Sequence, residues 1–169
     1  MNDSQLSTGW FCVATQGATI DGRYIEPEWL IDMAQTYDPK LYTALIWEEH
    51  RRDADNLGEV LAARHEIHQG EMRLYVRIRP TARLVRYNEN GQKLFCSIEV
   101  AEDFPSEGRF YLSGLAVTDS PASGGTSRLS FSRNRAYFSR RGKPIHCSRP
   151  VPCHFSLSPS GWFAAISGG

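Results

Sequence analysis

The sequence predicts an α+β fold: a mostly antiparallel, β-barrel-like core with a few helices, followed by a poorly ordered C-terminal tail. Three observations predict it. Short segments of alternating polarity recur along the chain, most clearly where Met72, Leu74, Val76 and Ile78 alternate with Arg73, Tyr75, Arg77 and Arg79. Few helical stretches separate these segments, which argues against a doubly wound parallel sheet. Beyond Phe131 both periodicities stop, and the chain becomes rich in Pro, Ser and Arg.

Residues 10–15 (WFCVAT) are apolar and suit a strand, and Thr19 to Gly22 suits a turn or a second short strand. Pro27 fits the first turn of a helix, where its missing N–H sacrifices no bond. Leu30, Met33, Ala34 and Tyr37 then fall on one helical stripe. That helix should end at Asp38-Pro39, because the residue before a proline avoids helical dihedrals. LYTALIW (41–47) reads as a strand that runs into Glu48-Glu49-His50. Residues 56–80 read as two strands around a turn at Gln69-Gly70. A short helix between Thr81 and Gln92 should stop at Asn90-Gly91.

In the next strand Leu94, Cys96, Ile98 and Val100 share one face, with Phe95, Ser97 and Glu99 on the other. FYLSGLAV (110–117) is apolar on both faces, as a buried strand is. TDSPASGGTS (118–127) has the composition of a loop. The expected organisation is one domain over residues 5–138 and a tail over 139–169.

The length of 169 residues suits one domain with an appendage. No apolar run approaches the ~18 residues of a membrane span. The opening MNDSQLSTGW lacks the basic and apolar regions of a signal peptide, so a cytosolic location and no membrane partner are expected. Cys12, Cys96, Cys147 and Cys153 are too few and too scattered for a disulfide framework. The net charge of zero hides an asymmetry: residues 1–119 carry 12 basic and 19 acidic residues, and seven basic residues follow with no acidic one. A basic tail can contact nucleic acid, but this one holds no ordered nucleic-acid motif, so a solvated surface is the preferred reading.

Nucleophilic hydrolysis by a hydroxyl needs a held serine, a histidine to take its proton and an acceptor to fix the histidine's tautomer. Local context singles out Ser97, mid-strand on the face opposite the apolar one, where a strand holds it more firmly than a loop. His50 ends a strand, and Asp21 precedes Gly22 in a turn. Each also has an ordinary explanation: a surface serine, a strand-end histidine and Asp-Gly turn chemistry. His65 and His68 make an H-x-x-H at a strand-to-turn transition with only Glu66 beside it. HCSRPVPCH holds His146, Cys147, Cys153 and His154, but the five-residue gap between its cysteines is wider than zinc ligands usually span. Neither is expected to bind a metal. No phosphate-cradling or dinucleotide motif occurs, and no cofactor is expected.

Three stretches together carry a resemblance: TIDGRYIEPEWLIDMAQTYDPKLYTALIWEEH, KLFCSIEVAEDF and YLSGLAVTDSPASGGTSRLSF. In order and spacing they resemble the amino-terminal part of the capsid scaffolding protein family (GPO family) of Peduovirus-type temperate tailed phages, over residues 10–133. The resemblance implies a serine peptidase that matures the prohead in the cytoplasm of the bacterial host. Its implied substrates are the major capsid protein, other prohead proteins and the scaffold itself, with self-association as a further implied contact. It also implies a β-barrel core similar to that of the herpesvirus-type assembly peptidases. The family's aspartate falls on Asp21, its histidine on His50 and its nucleophilic serine on Ser97. Oxyanion donors are not named by it; Gly114 and the loop after Val117 are candidates. The family's helical scaffold segment has no counterpart in residues 139–169, which show no heptad pattern. The alternative reading is a non-catalytic assembly protein or the remnant of a prophage gene.

Overall fold

The structure, a computed structural model, describes residues 7–20, 22–120 and 125–129. In chain order the elements are β1 (Phe11–Thr15), β2 (Gly17–Ala18), β3 (Tyr24–Ile25), α1 (Pro27–Thr36), β4 (Leu45–Glu48), β5 (Gly58–His68), β6 (Glu71–Pro80), α2 (Ala82–Glu89), β7 (Phe95–Glu102) and β8 (Phe110–Thr118). Six strands form one curled sheet, a half-barrel ordered β1-β6-β5-β4-β8-β7. All its pairings are antiparallel except β4 with β8. The α+β, mainly antiparallel expectation therefore holds. β2 and β3 form a separate two-stranded ladder.

The sheet buries branched and aliphatic side chains in one core. Val13, Ile46, Val60, Leu74, Val76, Ile78, Ile98, Leu112, Leu115 and Val117 all belong to one buried cluster. Residues 126–129 bridge the end strands β1 and β7. The Ser127 N–H donates to the Cys12 carbonyl at 3.0 Å, and the Leu129 N–H to the Leu94 carbonyl at 2.7 Å.

Helix α1 starts with Pro27 in its first turn and stops where Tyr37 turns to extended dihedrals before Asp38-Pro39. It buries Leu30 and Met33 against β5, β6 and β8. Each such side chain contributes roughly 1.5–3 kcal/mol relative to exposure. Helix α2 is capped by the Thr81 hydroxyl, which accepts the Leu84 N–H at 3.3 Å.

The main departure lies before β4, which begins at Leu45 and not at Leu41. The Asp38 carbonyl accepts the N–H groups of Leu41 and Tyr42, and its carboxylate accepts the Lys40 N–H at 2.9 Å. These local bonds turn the chain after Pro39, so Asp-Pro turn chemistry overrides the β-propensity of Leu41 to Thr43. Among the described residues, no helix is long and apolar enough to cross a membrane. Residues 139–169 lie outside the described residues, as do Asp21, His146, Cys147, Cys153 and His154.

Candidate active site

Strand β7 places Cys96, Ile98 and Val100 in the core. Side chains alternate along a strand, so Ser97 and Glu99 share the other face. Pairing across β8 and β4 extends that face in two rows. Ser97 lies opposite Ala116, which lies beside Trp47; Glu99 lies opposite Gly114, which lies beside Leu45. Ala116 and Gly114 are the small residues of these two rows. Ser97 is buried and not solvent-facing.

His50 reaches this face through a strained turn. Strand β4 ends at Glu48, and Glu49 and His50 both take left-handed dihedrals, with φ of 51° and 61°. Such a conformation costs of order 1–3 kcal/mol for a residue with a side chain, and it concentrates at functional sites. The turn is held by the Glu49 N–H on the Val117 carbonyl at 3.1 Å and the Arg51 N–H on the Glu48 carbonyl at 2.9 Å. It brings the imidazole to Ser97 and Glu99 of β7.

The result is a hydrogen-bonded series. His50 Nε2 lies 3.1 Å from Ser97 Oγ, and His50 Nδ1 lies 2.9 Å from Glu99 Oε1. Arg52 Nη1 donates to the same Glu99 oxygen at 3.0 Å, and Arg52 Nη2 donates to Oε2. The guanidinium also stacks over Trp47, 4.6 Å from the ring centre. Burial pushes the Glu99 carboxyl upward, but the bonds from His50 and Arg52 outweigh it and hold the group below the ordinary glutamate value. Glu99 is therefore an anion at neutral pH.

An ionised carboxylate only accepts hydrogen bonds, so the proton of a neutral His50 is assigned to Nδ1. That leaves the Nε2 lone pair facing the Ser97 hydroxyl. The arrangement can take a proton from the hydroxyl and balance the imidazolium that forms.

Sequence reasoning picked Ser97 and His50, and the structure brings these two together. Asp21 lies outside the described residues. Of the described residues on either side, the Thr19 N–H donates to the Arg23 carbonyl at 2.8 Å and the Thr19 hydroxyl oxygen accepts the Arg23 N–H at 3.0 Å. Glu99 and Arg52 were missed. For Glu99 the signal was present: it lies two residues from Ser97 in a strand and so shares its face. Gly114, a candidate oxyanion donor, is a strand residue. It sits inside β8 with β4 on one side and β7 on the other. Its missing side chain makes room for Glu99. His65 and His68 both lie in β5, at an odd spacing that sends them to opposite faces. Among the described residues, no three His, Cys, Asp or Glu side chains gather as metal ligands would.

Residues 8–134 match the family model of the GPO serine peptidase, N-terminal domain. The capsid assembly scaffolding protein of Escherichia phage P2 is 33% identical over 177 residues, covering 94% of this chain and 62% of that protein. The chain thus spans less than two thirds of the length of this relative. No solved structure matches it.

Proposed function

Because the chain belongs to the GPO serine peptidase family, we propose that it is a serine endopeptidase that cleaves capsid and scaffold proteins as a phage prohead matures. In this reading Ser97 is the nucleophile and His50 the general base; the family resemblance assigns an acidic role to Asp21, which lies outside the described residues. The observation that carries the reading is the 3.1 Å contact between His50 Nε2 and Ser97 Oγ.

Neutral His50 takes the Ser97 proton as the oxygen attacks the scissile carbonyl. Protonated His50 then passes that proton to the leaving amine. Water enters, loses a proton to His50 and releases the acyl group, and Ser97 recovers its hydroxyl proton. The substrates are the major capsid protein and other prohead proteins, met inside the assembling prohead in the host cytoplasm. A scaffolding role beside catalysis is favoured by the name of the phage P2 relative.

Co-expression with the major capsid protein of its own phage tests the proposal. Wild type should shorten the capsid protein, and Ser97→Ala should leave it intact while retaining wild-type circular dichroism. Cleavage by Ser97→Ala at the wild-type rate would overturn the assignment.

A further inference from the structure

Glu99 is a carboxylate in the middle of a strand, with only 5% of its side chain exposed. A buried anion is costly unless it is paired and hydrogen-bonded. Here it is fully engaged. Oε1 accepts from His50 Nδ1 at 2.9 Å and from Arg52 Nη1 at 3.0 Å, and Oε2 accepts from Arg52 Nη2. Arg52 thus grips the carboxylate with two parallel donors, a geometry that fixes orientation as well as charge. Trp47, in turn, supports the guanidinium from β4.

We propose that Glu99 is the positioning residue for His50: it fixes the Nδ1–H tautomer and balances the imidazolium, while Arg52 locks Glu99 in place. The inference rests on the peptidase reading above and adds a residue that the family resemblance does not assign. Three features carry it. The carboxylate meets the imidazole nitrogen opposite the one that meets Ser97. It comes from the same strand as Ser97, so nucleophile and orienting group move as one body. Gly114 supplies the space that the carboxylate fills. Near the turn, Lys93 pairs with Glu49 at 3.1 Å and Glu48 at 3.7 Å, and Arg51 pairs with Glu48 at 3.8 Å.

The test compares Glu99→Gln, Glu99→Asp, Arg52→Gln, Asp21→Asn and Ser97→Ala in the full chain, by capsid-protein cleavage and by proton NMR of the imidazole N–H region. A glutamine can donate to Nδ1 and favour the wrong tautomer. Glu99→Gln should therefore lower kcat by about 10³- to 10⁴-fold with KM little changed. It should abolish the low-field Nδ1–H resonance. Glu99→Asp should recover part of the rate.

Arg52→Gln, which keeps the carboxylate but frees it, should cost about 100-fold in kcat. This variant decides the matter if Glu99→Gln fails to fold. Wild-type kcat in both Glu99→Gln and Arg52→Gln, or a low-field resonance lost in Asp21→Asn but kept in Glu99→Gln, would overturn the proposal. If Ser97→Ala still cleaves, the peptidase reading fails instead, and the resonance alone still reports whether Glu99 holds His50.

Discussion

Gly114 and Glu99 face each other across β8 and β7 too closely to admit a β-carbon: one built on Gly114 would lie 2.6 Å from Glu99 Oε2 and 3.1 Å from its carboxyl carbon. The φ angle there is not in the left-handed region, so the constraint is one of space alone. Gly114→Ala must displace the carboxylate, and the Arg52 grip resists the displacement. Such overpacking typically costs about 1–3 kcal/mol. The shift should also tilt His50 away from Ser97 and lower kcat by about 100-fold. Urea unfolding and capsid-protein cleavage by the variant check both effects. An alanine variant with wild-type kcat would show that the carboxylate position is not coupled to the reaction.

The same carboxylate should shape acid stability. Its folded value lies below the ordinary 4.5. A depressed carboxylate stabilises the fold above its unfolded value, and that contribution is lost as the pH falls through the folded one. Between those two values the unfolded chain binds more protons, so stability drops with pH. The stability difference between wild type and Glu99→Gln should therefore be constant above about pH 5 and shrink below about pH 4. Urea midpoints measured from pH 3 to pH 7 test this, and a difference that does not change with pH would exclude a Glu99 contribution.

Much of this arrangement was legible in the sequence, for identifiable reasons. The period-2 pattern marks β6 and β7 without ambiguity, and Pro27 with the Leu30/Met33 stripe marks α1. Period 2 also assigns Ser97 and Glu99 to one face. It does not report that the sheet curls, or that β4 joins β8 in parallel across the long stretch of chain between them. The meeting of His50 with Ser97, 47 residues apart, depends on two successive left-handed residues at Glu49 and His50, a conformation uncommon for any residue with a side chain. Arg52 was hidden for the same reason. The early start given to β4 shows the opposite error, where strand propensity was weighed above the bonding capacity of Asp38.

Tyr37 ties the end of α1 to the sheet. Its hydroxyl donates to the Val60 carbonyl at 2.6 Å and accepts the Ala44 N–H at 3.1 Å. Burial pushes its phenol well above the ordinary tyrosine range, so the group stays neutral and able to donate. Tyr37→Phe leaves the buried Ala44 N–H without this acceptor. A buried donor left unpaired costs about 1–3 kcal/mol. The urea midpoint should fall accordingly at constant m-value, and an unchanged midpoint would mean that another acceptor takes over.

The final prediction concerns where the folded unit ends. Leu129 is buried in the core, and its N–H donates to the carbonyl of Leu94, the residue just before β7. Two residues earlier, Ser127 holds β1 twice: its N–H donates to the Cys12 carbonyl, and its hydroxyl accepts the Cys12 N–H at 3.1 Å. Residues 126–129 therefore bridge the two end strands of the half-barrel, and the family match ends just beyond them, at residue 134. A chain cut after residue 138 keeps these bonds and should unfold at the wild-type urea concentration with its cleavage activity retained. A chain cut after residue 125 loses the buried Leu129 side chain and the bridging bonds together. Removing a large buried aliphatic side chain costs about 2–5 kcal/mol by itself, a substantial part of the stability of a domain this size. The shorter chain should be largely unfolded or expanded by size-exclusion chromatography and circular dichroism. Equal stability of the two truncations would show that β1 and β7 hold each other without the bridge, whereas unfolding of the longer one would place part of the core beyond residue 138.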